Sequence, residues 1–154
     1  PIPFKPKPHQ EEAIKKSLEY FKRNDRGKIL MPCGTGKSLA AFWIAKKIKA
    51  KKILVAVPSL ALLQQTLKVW TRELLIQGVQ ADWLCVCSDT SVRENQDDFI
   101  SNTYDLGIEV TTDPNQIKKF LVIKNKKIKI IRVKTPYYSS EGVCWGQCNH
   151  TMFG

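Results

Sequence analysis

The chain has 154 residues, 43% of them hydrophobic, and a formal net charge of +11 at pH 7. This composition indicates one globular domain with a sizeable core, and it argues against a disordered chain. No apolar run reaches the length of a membrane span and no signal peptide opens the chain, so we expect no membrane partner. Five cysteines without regular pairing predict a reducing, cytoplasmic setting rather than a disulfide framework.

Hydrophobic periodicity and turn residues predict an alternation of helices and strands. We expect helices over 9–23, over 37–49, after Ser59 and from 114 to about 124. Strands are expected over 28–31, 53–57, 83–87 and 127–133. The remaining segments are an extended start over 1–8, a turn over 24–27 and a polar loop with a short helix over 88–102. Such alternation predicts an α/β fold, with a parallel sheet and helices on both faces.

Three local signals support these elements. Ser59 is a good helix cap, and apolar residues at spacings of three and four follow it on one face of the long helix. Asp113 and Pro114 form a strong helix start, from which Gln116 is expected to reach back to the cap. Charged and apolar residues alternate over 127–133, which favours a strand near a sheet edge.

The segment 31–38, Met-Pro-Cys-Gly-Thr-Gly-Lys-Ser, lies between the first strand and the second helix. A glycine loop followed by Lys-Ser at a helix start is the layout that binds a triphosphate, because backbone N–H groups and the helix dipole both attract anions. The usual motif has Gly at position 31, where this chain has Met. The alternative interpretation is a glycine-rich turn before an ordinary helix. Within the loop, we expect Cys33 to be a small packing residue.

Three segments, the glycine loop among them, together resemble one family. Residues 8–14 are similar to the glutamine motif of superfamily 2 helicases, 31–38 to their motif I, and 54–66 to their motif Ia. The likeness is greatest to the helicase-like translocase domain of restriction enzymes and related DEAD/DEAH-box proteins, and it covers roughly residues 1–125. The resemblance implies a RecA-like, phosphate-loop NTPase fold and an ATP-dependent activity on nucleic acid, with DNA favoured.

The resemblance also implies roles for individual residues. Gln10 would read the adenine edge through its amide. Lys37 would neutralise the β- and γ-phosphates during hydrolysis and is the candidate catalytic residue. Ser38 would hold the Mg²⁺ that accompanies ATP. The remaining cofactor-binding candidates are the loop residues Cys33, Gly34, Thr35 and Gly36.

Nucleic-acid contacts are expected at two strand ends. Pro58 and Ser59 follow the second strand, where free amides at a helix start can meet a phosphate. The alternative interpretation of Ser59 is a simple helix cap. Ser88 and Asp89 follow the third strand and are weaker candidates. Eight basic residues and no acidic one lie over 118–134. They form either a solvated basic face or a contact surface for phosphates.

The chain departs from the family in its acidic residues. The resemblance calls for an Asp-Glu pair at a strand end, where Asp organises Mg²⁺ and Glu activates water. After Asp113 the one acid is Glu141. We therefore expect a truncated or frame-disrupted piece, with an incomplete RecA-like domain over 1–134 and an unassigned tail over 135–154. Its partners would include the remaining helicase domains, and a nuclease domain of the parent protein.

Two functions follow from these observations. The first is the ATP-binding portion of a DNA helicase or translocase of a restriction system. The second is a non-catalytic fragment that binds nucleotide or nucleic acid and lacks the acids for hydrolysis. Another phosphate-loop ATPase, such as a kinase, is a weaker option because it leaves the glutamine motif and motif Ia unexplained.

Overall fold

The computed structural model describes residues 2–57, 60–86, 109–123, 127–134, 143–148 and 151–153. In chain order its elements are α1 (Pro8–Tyr20), β1 (Arg26–Ile29), α2 (Lys37–Lys47), β2 (Lys52–Val57), α3 (Leu60–Ile76), β3 (Ala81–Val86), β4 (Glu109–Thr111), α4 (Pro114–Val122), β5 (Ile128–Lys134), β6 (Val143–Cys148) and β7 (Thr151–Phe153). The helices and strands predicted within these ranges are present. Their ends agree with the prediction to within about three residues, as is usual for element boundaries.

The strands form one sheet in the order β1-β6-β7-β2-β5-β3-β4. The pairs β2–β5, β2–β7, β3–β5 and β3–β4 are parallel, whereas β6 is antiparallel to both β1 and β7. All described strands except β6 therefore run in one direction. The phosphate loop follows β1 at the carboxyl end of this direction, where α/β sheets bind their ligands.

Helices cover both faces of the sheet, as predicted. Side chains alternate along β5, so Ile130 and Arg132 share one face and Lys129 lies on the other. Ile130 packs in the core that α1, α2 and α3 build, and Arg132 lies over the ring of Trp70 in α3. On the opposite face, Lys129 lies over the ring of Phe120 in α4. In the described part of the chain, no helix is long and apolar enough to cross a bilayer.

The expectation that β5 lies near an edge is wrong, because β5 pairs with β2 on one side and β3 on the other. Two of its charged residues, Lys129 and Arg132, are buried and have polar contacts inside the fold instead of facing water. The buried ammonium of Lys129 lies 3.7 Å from a carboxylate oxygen of Asp82, and the guanidinium of Arg132 donates to the carbonyl oxygen of Leu63 at 3.0 Å. The alternation of charged and apolar residues therefore predicted the wrong position in the sheet for this strand.

Two further details differ from the sequence prediction. Asp113 caps α4 by accepting from the Asn115 N–H at 2.9 Å, but its own N–H donates to Thr111 Oγ1 at 3.0 Å instead of to Gln116. The tail over 135–154, for which no strand was predicted, contributes β6 and β7, which lie in the sheet between β1 and β2.

Candidate nucleotide-binding site

The glycine loop has the backbone shape that its sequence predicts. Gly34 has φ +76° and Gly36 has φ +79°, a left-handed conformation that residues with a Cβ rarely adopt. Gly36 immediately precedes α2, and its carbonyl oxygen accepts the N–H groups of Leu39 and Ala40. The first N–H groups of α2 have no acceptor within the helix, so this end of α2 can donate to an anion.

The ammonium group of Lys37 is held by the loop itself. Its Nζ donates to the carbonyl oxygens of Met31 and Pro32, each at 3.1 Å, and none of the ion pairs in the described ranges involves it. Thr35 closes the same turn, because its hydroxyl donates to the Pro32 carbonyl at 2.7 Å. Neutral carbonyls are weaker partners for an ammonium than phosphate oxygens are, so Lys37 is available to a triphosphate.

Gln10 contacts the glycine loop directly. Its side chain is 4% exposed, and its Nε2 donates to the carbonyl oxygen of Thr35 at 2.9 Å and to that of Gly36 at 3.3 Å. Its Oε1 accepts the backbone N–H of Lys7 at 2.8 Å, which closes the start of α1. Because Nε2 has two hydrogens and donates both to the loop, it can donate to adenine only after one of these two bonds opens. The adenine role of Gln10 stays a prediction.

Ser38 is held from the side of α3. The indole Nε1–H of Trp70 donates to Ser38 Oγ at 3.0 Å and to the Ser38 carbonyl oxygen at 3.1 Å. A hydroxyl oxygen has two lone pairs, so one remains for a metal ion after the indole has bound the other. Ser38 therefore fits the role of a single protein ligand to Mg²⁺, which takes few such ligands beside phosphate and water.

A cavity of about 650 Å³ lies between α1 and β1, next to the loop. His9 and Ser17 line it from α1, Ile29 lines it from β1, and Thr35 lines it from the loop. Its volume falls in the usual range of small-molecule sites. His9 Nε2 also lies 3.1 Å from the Thr35 carbonyl oxygen, so the cavity and the loop share a wall.

The other predicted site residues divide into two groups. Cys33 lies in the loop and is exposed, with a free thiol, so the expectation that it is a packing residue is wrong. The nucleic-acid candidates Pro58, Ser59, Ser88 and Asp89 lie outside the described residues. The helix that follows Ser59 does bury the predicted apolar face, with Leu63, Leu67, Trp70 and Leu74 in the core.

The basic stretch over 118–134 has two kinds of members. Lys118, Lys119 and Lys127 are exposed, whereas Lys129 and Arg132 are buried. The buried pair cannot contact a phosphate backbone in this fold. The exposed lysines remain compatible with either a solvated face or a nucleic-acid surface.

Sequence reasoning missed a buried carboxylate on α3. Glu73 has no exposed surface, accepts the Phe4 N–H at 3.2 Å to each oxygen, and pairs with Arg72 at 2.6 Å. Arg72 also donates to the Ile2 carbonyl at 3.1 Å. These bonds connect the extended segment before α1 to α3. Gln10 lies at the start of α1, directly after this segment. The contacting residues lie 69 and 70 positions apart, so no local pattern could have shown the contact.

Arg132 is a second unexpected feature. It is 1% exposed, and its Nε and Nη2 atoms have no hydrogen-bond partner among the residues that the structure describes. Its guanidinium lies between the rings of Trp70 and Trp83, 5.3 and 5.1 Å from their centroids. Burial lowers the pKa of Arg132 to about 9, and the neighbouring Cys85 opposes this shift.

Comparisons with known proteins agree with this architecture. A family model described as "Type III restriction enzyme, res subunit" matches residues 3–140. A protein named "Probable helicase A859L" from African swine fever virus is 33% identical over 113 residues, which are 72% of this chain and 12% of that protein. Homologues from two further isolates of the virus match to the same extent.

A solved structure gives the same picture. It is a nuclease-deletion mutant of the Type ISP restriction-modification enzyme LlaGI in complex with a DNA substrate mimic. It matches with a TM-score of 0.66 and 28% sequence identity, over 86% of this chain and 13% of LlaGI. The chain therefore spans about an eighth of the length of the relatives it matches.

Proposed function

Because the chain belongs to the family of the res subunit of type III restriction enzymes, we propose that it is the ATP-binding portion of a DNA helicase or translocase of a restriction-modification enzyme. The observation that carries this proposal is the glycine loop. At the carboxyl end of the strands, the loop brings together two left-handed glycines, the free amides at the start of α2 and the ammonium of Lys37. This is the arrangement that a triphosphate needs.

Each loop residue would have one task. The N–H groups of the loop would donate to phosphate oxygens, and Lys37 would exchange its bonds to Met31 and Pro32 for the outer phosphates. Ser38 would hold Mg²⁺ through its hydroxyl, and the ion when bound would offset phosphate charge. The cavity beside His9 and Thr35 leaves room for the nucleoside end of the same ligand.

The nucleic-acid partner is proposed from the relatives and from charge. LlaGI was solved with a DNA substrate mimic, and the net charge of +11 favours a polyanion. DNA is therefore the partner we propose, with the remaining helicase domains of the parent protein and a nuclease domain as covalent neighbours. A cytoplasmic location follows from the same proposal.

A second candidate function is nucleotide binding without hydrolysis. It is favoured by the lack of an Asp-Glu pair within the described residues, where the one pair of adjacent acids is Glu11 and Glu12. Glu11 and Glu12 lie on α1 and are exposed, and Glu12 pairs with Lys16 at 2.7 Å. Within the described ranges, no group of three or more His, Cys, Asp or Glu residues is arranged to hold a metal. Asp97 and Asp98 lie outside them.

The test measures ATP binding and ATP turnover, each with and without DNA, for the wild type, Lys37→Ala and the control Lys47→Ala, at an exposed lysine near the other end of α2. Binding that is lost only in Lys37→Ala, together with turnover that DNA stimulates, supports the helicase portion. The same binding pattern without turnover supports the non-catalytic candidate. Equal binding by all three proteins contradicts both.

A further inference from the structure

One face of α3 contacts residues on two sides of the glycine loop. Trp70, which is 1% exposed, donates its indole N–H to Ser38, and Glu73, one turn later, accepts the Phe4 N–H of the segment that leads to Gln10. Residues three apart on a helix lie on the same face. Both sides of the glycine loop are thus tied to a single helix.

The hydrogen bond to Ser38 restricts the side chain that the proposed function assigns to Mg²⁺. Serine hydroxyls rotate readily when nothing holds them. Here the indole nitrogen is itself rigid, because the Trp70 ring packs edge-to-face on Phe42 with centroids 5.4 Å apart and also contacts Arg132. Because packing fixes the indole N–H of Trp70, its hydrogen bond holds Ser38 Oγ in one position. The second lone pair of that oxygen remains available to a metal ion.

From this geometry we propose that Trp70 is a positioning residue that presents the Ser38 hydroxyl to the Mg²⁺ of a bound nucleotide. The inference rests on the proposed function, since it concerns the metal at that same site. Orientation of a ligand by a neighbouring hydrogen bond commonly decides metal affinity. Trp70 therefore acts on the metal-dependent part of nucleotide affinity and not on the phosphate contacts of Lys37.

The first measurement needs no nucleotide. The indole N–H resonance of Trp70 is identified by its disappearance in Trp70→Phe, and its hydrogen exchange is followed in the wild type and in Ser38→Ala. We expect the resonance to shift and to exchange faster in Ser38→Ala, because the variant removes one of its two acceptors. An unchanged resonance would overturn the proposal.

The second measurement is the ratio of nucleotide affinity in Mg²⁺ to that in EDTA, with a non-hydrolysable ATP analogue. We expect Trp70→Phe to lower this ratio about threefold to tenfold, the size of one hydrogen bond, with little change of affinity in EDTA. Ser38→Ala should lower the ratio at least as far, and the double variant should add nothing. Trp43→Phe, at another buried tryptophan of the same core, controls for loss of packing.

The outcomes separate the inference from the function on which it rests. Binding by the wild type, with an equal Mg²⁺ ratio in Trp70→Phe, overturns the role of Trp70 and leaves the proposed function intact. A wild-type chain that binds no nucleotide overturns both. If Trp70→Phe does not fold, the Trp70 indole resonance is assigned by triple-resonance experiments on the wild type instead. The decision then falls to Ser38→Ala, in which that resonance must change for the proposal to stand.

Discussion

The side-chain nitrogen of Gln10 lies 2.9 Å from the carbonyl oxygen of Thr35, and a methyl group added to Gly36 would collide with that same nitrogen. Gly36 is therefore required for two reasons, its positive φ and the approach of Gln10. Gly34 also has a positive φ, but a Cβ there would meet nothing within 4 Å. The two glycines of one loop thus form a matched pair for experiment.

Gly36→Ala should cost more stability than Gly34→Ala. The left-handed backbone costs an alanine about 1–2 kcal/mol at either position, and at Gly36 the displaced Gln10 loses its bond to Thr35, worth about 1 kcal/mol more. Urea unfolding of both variants measures the difference. In a Gln10→Ala background, where that bond is already absent, Gly36→Ala and Gly34→Ala should cost about the same. Equal losses at the two glycines would show that Gln10 does not press on the loop.

Gln10→Ala separates the two roles of the glutamine. If Gln10 leaves Thr35 to read adenine, the preference for ATP over GTP should fall about threefold to tenfold, the value of one hydrogen bond. Competition binding with both nucleotides, with Glu11→Ala at an exposed neighbouring position of α1 as the control, provides the measurement. A proportionate fall for ATP and GTP would limit Gln10 to holding the loop.

Arg132→Met should stabilise the fold by about 1–4 kcal/mol at pH 7, because it replaces a buried, incompletely bonded cation with an apolar side chain of similar length. The exposed residue Arg23 supplies the control substitution Arg23→Met, for which we expect almost no change. Thermal or urea unfolding measures both. A marked loss of stability in Arg132→Met would mean that the contacts with Trp70 and Trp83 outweigh the cost of burial.

The advantage of Arg132→Met should shrink as the pH rises above about 9. Burial lowers the pKa of Arg132 to about 9 in the folded chain, well below the ordinary value of the side chain. Between these values the unfolded chain binds more protons, so the stability of the wild type relative to Arg132→Met rises with pH. Below pH 9 both states are protonated and the difference is constant. Unfolding curves between pH 7 and 10.5 test the slope.

Glu73→Leu should cost about 1–3 kcal/mol and release the segment before α1, because the Phe4 N–H and Arg72 both lose their buried partner. Glu12→Leu is the control, since its pair with Lys16 is exposed and worth little. The direct readout is hydrogen exchange at the Phe4 amide, which should become fast only in Glu73→Leu. Continued protection of that amide would refute the anchor.

Local patterns predicted the parts of this fold that depend on local physics. The apolar stripe of α3, the Asp113 cap and the two glycines of the loop all depend on spacing or backbone preference within a few residues. The contacts of Gln10 with Thr35 and of Glu73 with Phe4 span 25 and 69 positions. Such contacts exist only after the chain has folded, so their partners cannot be seen from composition or periodicity.

The same reasoning explains why the predicted position of β5, near a sheet edge, was wrong. Alternating charge usually marks a strand that meets water, and Lys129 and Arg132 supplied that pattern. Their compensation comes from Asp82 on β3, Phe120 on α4 and two tryptophans, none of which lies within the strand itself. Sheet order is a tertiary property, and charge within one strand does not determine it.

The central claim is that the backbone amides from Gly34 to Ser38 bind a triphosphate. The most direct test records these amide resonances while a non-hydrolysable ATP analogue with Mg²⁺ is added to the wild type and to Lys37→Ala. The account predicts that the largest shifts occur at Gly34, Gly36, Lys37 and Ser38, and that they vanish in Lys37→Ala at the same ligand concentration. Binding of the analogue that leaves these four amides unshifted would contradict it.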